Sequence, residues 1–157
     1  LARIAREMGA DWIIPFDADE FWCGVDQLPS LPADIGIVYA PVFHYVDMVR
    51  RHVNTKLPKV AFRPSPTMRI EWGNHNVAGV PGRWLQGLTV CELQYRDYAH
   101  FLAKIDRAEK LYASADFPLA YGSHLRRLVA LSDDERKAEW EQMCAIPTVH
   151  DPIPIRC

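Results

Sequence analysis

A chain of 157 residues with 18 Lys and Arg against 20 Asp and Glu is close to neutral, at -2, with 49% hydrophobic and 24% charged residues. That composition fits one globular domain with a sizeable core. It excludes an electrostatic case for nucleic acid or anionic lipid as partner, and no apolar run reaches the roughly 18 residues of a membrane span.

In chain order, Leu1, Ile4, Ala5 and Met8 repeat at helical spacing, and Gly9 suits the stop. This opening reads as an amphipathic helix rather than a signal peptide. Trp12 to Phe16 then reads as a buried strand. A helix running straight into a buried strand is half of a βαβ crossover. The strand that should precede it lies before Leu1, so the chain reads as the later part of a longer domain. Next come three carboxylates in four residues, Asp17, Asp19 and Glu20. Unpaired charges are very costly to bury. The three are therefore expected at the carboxyl end of the strand, where open α/β sheets bind ligands.

Phe21 to Leu28 reads as a short helix or turn, broken by Leu28-Pro-Ser-Leu-Pro32. Ile35 to Val46 is nearly all apolar and predicts a central strand, with a bulge or early end at Pro41. His44, Asp47, Arg50, Arg51 and His52 read as a polar connection, and Lys59 to Arg63 as a short strand stopped by Pro64. Thr67 to Trp72 alternates in polarity and predicts a half-buried, antiparallel strand, followed by turns at Gly73–Asn76 and Gly79–Gly82. Leu88 to Leu93 is another strand. Tyr98, Phe101, Leu102, Ile105 and Tyr112 share one helical face, and Phe117-Pro118 should end that region. A short helix around Leu125, Leu128 and Val129 precedes the capping box Ser132-Asp-Asp-Glu135, which opens a last helix to about Met143. The proline-rich tail from Ile146 should be extended. Four scattered cysteines (Cys23, Cys91, Cys144, Cys157) lack metal-site spacing and read as reduced thiols of a cytoplasmic protein.

The segment Asp11-Trp-Ile-Ile-Pro-Phe-Asp17-Ala-Asp19-Glu20-Phe21 resembles the metal-binding strand end of family 2-type glycosyltransferases with the GT-A fold, in the subgroup with a D-x-D-E-F signature. Lys59-Val-Ala-Phe-Arg63-Pro64, Gly73-Asn-His75 and Tyr95-Arg96-x-Tyr98-x-x-Phe101-x-x-Lys104 follow in the same order. The likeness runs from about Leu1 to about Lys110. It implies an α/β fold with a GT-A-like mixed sheet flanked by helices. In that resemblance the N-terminal strands that hold the base and ribose of the nucleotide would precede Leu1. The corresponding division is a partial catalytic domain over 1–115 and a C-terminal helical extension over 116–157.

The activity implied is metal-dependent transfer of a sugar from a nucleotide-sugar donor to a saccharide or other hydroxyl acceptor, with inversion. Mn²⁺ or Mg²⁺ would be the cofactor, since both favour hard oxygen ligands and leave positions for substrate phosphate. The resemblance puts Asp19 first as direct ligand and Asp17 on ribose or on the metal through water, with Glu20 orienting either. It gives His75 a place in the metal site. Lys59 and Arg63 lie four apart on one side of a strand, where they can pair with phosphate. Arg96 and Lys104 match positions near the acceptor but read better as structural. Inversion requires a base for the acceptor hydroxyl. Glu71, Glu92 and Asp97 all qualify, and Glu92 stands where relatives often have His. Trp72 and Trp84 can stack on a sugar ring.

Two other classes compete. One is a non-catalytic, truncated remnant of the same fold, or a binding module. The other is a phosphohydrolase with an aspartyl nucleophile, which also carries D-x-D after a strand. That class needs Thr or Val two residues past the second Asp, where this chain has Phe21.

Overall fold

A computed structural model describes residues 1–114 and 122–154. The expected break at Phe117-Pro118 lies outside them. The chain is mixed α/β and divides into two compact units, Leu1–Gln94 with Val149–Cys157, and Tyr95–Thr148. The division falls before the first long helix rather than near residue 115.

The first unit opens with helix α1 (Ala2–Glu7). Its strands are β1 (Glu20–Cys23), β2 (Ile35–Tyr45), β3 (Arg50–Phe62), β4 (Arg69–Glu71), β5 (Asn76–Ala78), β6 (Arg83–Gln86) and β7 (Thr89–Glu92), and the chain returns through β8 (Thr148–His150). The sheet runs β1-β7-β2-β3-β8. β2 and β3 form an antiparallel hairpin, and β1 pairs antiparallel with β7. The other edge of β2 is shared. β6 lies parallel along Ile35–Tyr39 and β7 parallel along Val42–His44, so the two short strands succeed one another on a single edge. Gly36 is required at this junction, because a Cβ there would lie 2.0 Å from the Pro81 carbonyl oxygen. β4 and β5 form a separate hairpin, turned through Trp72 and Asn74 at positive φ.

Side chains alternate between the two faces of the sheet. Val38, Ala40, Val42, Ala61 and Val90 build the core of one face, with Leu28 from the 3₁₀ turn Val25–Ser30. Val60, Phe62, Ile37 and Tyr39 build the other, covered by Ile13 and by Val77 and Ile70 of the β4–β5 hairpin.

Several expectations are corrected. Of Trp12–Phe16 only Ile13 joins the sheet, exchanging both backbone bonds with Phe62 at 2.8 and 3.0 Å. Pro15 has no N–H to continue the ladder. The apolar face read for α1 is not buried. Leu1, Ile4 and Met8 are exposed, while Ala2 and Ala5 make the contact, because small side chains let this short helix approach closely. Phe21 to Cys23 is strand, not helix. The polar connection after His44 is mostly sheet: only a tight turn separates β2 from β3, with the Asp47 carboxylate accepting the N–H groups of Val49 and Arg50. At Pro41 the register does shift, but the extra residue sits on β3, which carries Pro58 opposite. The tail is extended, as its prolines suggest, and also pairs beside β3, the Asp151 and Ile153 N–H groups bonding to the Val49 and Met48 carbonyls.

The second unit holds α2 (Tyr98–Ser114), α3 (Ser123–Val129) and α4 (Asp133–Cys144). Phe101 and Ile105 of the predicted face are buried with Tyr95 and Leu128, and Trp140 packs on the Phe101 ring. The capping box at Ser132 forms as expected, Ser132 and Glu135 each bonding the other's backbone N–H. Among the described residues no helix is long and apolar enough to cross a membrane.

Candidate functional site

The face built from Val38, Ala40 and Val42 turns polar toward one end. The register puts Lys59 opposite Ala40, Lys56 opposite Val42, and Glu92 opposite both His44 and Glu20. Four strands thus deliver two lysines, two carboxylates and a histidine to one patch, and the Asp17-Ala-Asp19 turn leads into it.

Glu20 is the anchor. It opens β1, and its side chain is completely buried. Oε2 accepts the Asp17 N–H (3.1 Å) and the Trp22 indole N–H (3.3 Å), while the Glu20 N–H bonds back to the Asp17 carbonyl (3.1 Å). Lys59 Nζ, also buried, lies 2.8 Å from Glu20 Oε1 and 2.9 Å from Asp17 Oδ2. Burial by itself would lower the Lys59 pKa. The hydrogen bonds and charges of Glu20 and Asp17 outweigh it and hold the ammonium above the ordinary lysine value. Asp17 itself is exposed on its outer side, and Asp19 is half-buried, its carbonyl accepting the Leu93 N–H at 2.9 Å. The acidic turn is therefore tied at both ends, to β3 through Lys59 and to the end of β7 through Leu93.

Beside it, Lys56 Nζ bridges Glu92 Oε2 (2.5 Å) and Gln94 Oε1 (3.0 Å), and His44 Nδ1 is 3.8 Å from the same Glu92 oxygen. His52 stacks on His44 with ring centroids 4.8 Å apart, and its buried Nε2 has no hydrogen-bond partner among the described residues. Burial, and then the Lys56 charge, keep the His52 pKa below the usual imidazole value.

The residues singled out from the sequence separate clearly. Asp17, Asp19, Lys59 and Glu92 come together around Glu20. His75 sits in the β4–β5 turn and reaches the neighbouring stretch of β3, its Nδ1 donating to the Pro58 carbonyl at 2.9 Å. A ring nitrogen facing a carbonyl must carry the proton, so Nε2 is the nitrogen of neutral His75 that can accept. Arg63 is occupied structurally. Its guanidinium donates to the Ile35 and Leu31 carbonyls and lies over the Trp12 ring at 4.5 Å, which leaves it a poor phosphate ligand. Glu71 belongs to the hairpin on the other face, paired with Arg69 and accepting from Asn76. Asp97 caps α2 in the second unit through the His100 N–H. Arg96 and Lys104 are in that unit too, the latter over the Tyr95 ring. Trp72 and Trp84 are exposed, Trp84 meeting Tyr39 edge-on.

Sequence reasoning missed the buried role of Glu20 and the His44–His52 stack. A signal was present for the first. Lys59 leads directly into the core residues Val60, Ala61 and Phe62, and a lysine placed there needs a carboxylate partner.

Among the described residues no three His, Cys, Asp or Glu side chains gather as a metal-binding group. The hard oxygens of Asp17 and Asp19 suit a cation held by one or two carboxylates and completed by substrate phosphate and water, the usual arrangement for Mg²⁺. Comparison with protein-family profiles, with curated proteins and with solved structures gave no match.

Proposed function

We propose that the chain carries the donor-diphosphate half of a metal-dependent, inverting glycosyltransferase. The observation that carries this reading is the Asp17-Ala-Asp19 turn, pinned by buried Glu20 and Lys59 next to a second carboxylate, Glu92, on the same sheet face. Such pinning is what a site needs to hold ligands in place. The resemblance of residues 11–21 to the family 2 signature supports it.

In this reading Asp19 and Asp17 would hold Mg²⁺ or Mn²⁺, with substrate phosphate and water completing the shell, while His75 stays with the hairpin on the other face. When bound, the metal offsets charge on the leaving diphosphate, an effect of several kcal/mol. Lys59 orients Asp17 through their 2.9 Å ion pair. Glu92 is the base that takes the proton of the acceptor hydroxyl in this reading, as the one candidate carboxylate of the three on the sheet face of the acidic turn. Lys56, itself held by the Gln94 Oε1 acceptor, fixes its carboxylate, and His44 Nδ1 lies 3.8 Å from it.

One observation favours a second reading, a non-catalytic binding module. Lys59 already neutralises the Asp17–Glu20 pair from within. Calorimetric titration of Mn²⁺ with UDP or GDP present separates the two. The transferase reading requires saturable, nucleotide-dependent binding that Asp19→Asn abolishes, and nucleoside diphosphate release from UDP- or GDP-hexoses that Glu92→Gln suppresses. A folded wild-type chain with no such binding refutes it.

A further inference from the structure

The β1–β7 ladder carries a pair of thiols that the acidic site does not use. Cys91 stands opposite Phe21, and Cys23 is its diagonal neighbour on the same face. The two sulfur atoms are 3.8 Å apart and unbonded. Their surroundings differ. Cys91 is buried against Tyr45 and Ile153, and burial pushes its thiol up to about 12. Cys23 is half-buried and lines an open cavity of about 800 Å³, with Gly24, Asp26 and Pro154 among its walls. One thiol is thus reached from solvent and the other through the first.

We infer that Cys23 and Cys91 are a reversible oxidative modification site, closed to an intramolecular disulfide by exchange with a low-molecular-weight disulfide such as oxidised glutathione. The Cys23 thiolate attacks one glutathione sulfur, a mixed disulfide forms, and the first glutathione thiolate leaves. Cys91 then gives up its proton to solvent and attacks the Cys23 sulfur, and the second glutathione leaves. Two protein thiols and one oxidised glutathione become one protein disulfide and two glutathione thiols.

A disulfide between diagonal neighbours is strained on general grounds. Diagonal Cβ atoms on paired strands usually lie somewhat under about 7–8 Å apart, whereas a disulfide needs about 3.8 Å. Closure therefore draws β1 along β7. β1 is the element that can yield, being a four-residue strand at the sheet edge. A strained disulfide is readily reduced, as a reversible modification requires. Glu20 opens the same strand, so the shift reaches the Glu20–Lys59–Asp17 cluster directly. The thiol pair is independent of whether the chain transfers sugar.

The test uses the full chain carrying Cys144→Ser and Cys157→Ser, so that two thiols remain. It is incubated with oxidised glutathione, trapped in acid, digested and mapped by mass spectrometry. The expected product is one cross-linked peptide pair holding Cys23 and Cys91, two hydrogens lighter than the reduced peptides and restored by dithiothreitol. Adding Cys91→Ser should leave a stable glutathione adduct on Cys23. A persistent Cys23 adduct without cross-linking in the parent overturns the proposal, as does failure of both thiols to react in the folded chain. The parent mapping alone decides this if Cys91→Ser does not fold.

Discussion

Replacing Lys59 by Met keeps the length and apolar stem of the side chain and removes its charge. Glu20, fully buried, then loses the cation at 2.8 Å and keeps only the hydrogen bonds to Asp17 and Trp22. Removing one partner of a buried pair typically costs about 3–5 kcal/mol, because the remaining charge is left in a low-dielectric site. Replacing both partners costs far less, so Lys59→Met with Glu20→Gln should recover at least half the loss. A glutamine oxygen can still accept the Asp17 and Trp22 N–H groups. The assay is urea denaturation followed by tryptophan fluorescence. Trp12, Trp22, Trp72 and Trp84 lie in the unit that holds the site and Trp140 in the other, so a single transition is to be checked rather than assumed. A Lys59→Met chain within about 1 kcal/mol of wild type refutes the reasoning, as does a double variant no more stable than the single one.

Other outcomes follow from the same contacts. Gly36→Ala should destabilise the first unit by about 1–3 kcal/mol or more, since its Cβ would meet the Pro81 carbonyl; an unchanged thermal midpoint would contradict the close approach of β2 to that loop. With its pKa lowered in the fold, His52 binds its proton less readily than the unfolded chain does. Stability should therefore fall as pH drops below about 6.5, and His52→Asn should flatten that fall in urea midpoints measured between about pH 5 and 8. Ser132→Ala removes the acceptor for the Glu135 N–H and should cost about 1 kcal/mol. Hydrogen exchange should localise that loss to the first turn of α4, and protection there equal to wild type would argue against the cap.

What the sequence made legible were the features set by neighbouring residues. Ile35–Tyr45 is a strand because its own run is apolar and β-branched. Phe101 and Ile105 mark the buried side of α2 by helical spacing, and Ser132 and Glu135 cap α4 across three residues. The features that escaped are set by partners far along the chain. β3 reads as a loop through Val53, Asn54, Thr55 and Lys56, all exposed, and is strand because β2 pairs with it. His44 and His52 look like solvated loop residues until that hairpin stacks their rings. Asp17 and Asp19 were visible as a candidate ligand pair, but the ammonium that orders Asp17 comes from the far side of two intervening strands and a 3₁₀ turn.

The ladder that places Glu20 opposite Glu92 has a consequence for how the molecule is made. Closing it requires β7, and β7 must first find the far half of the β2 edge behind β6. Long closures of this kind come late, since their entropy cost precedes the contacts that offset it. As the chain leaves the ribosome, Glu20 emerges before its ladder partner and stays hydrated until residue 92 has followed. The acidic turn is therefore synthesised well before it takes its final form, and the carboxylate cluster is not assembled until the sheet is complete.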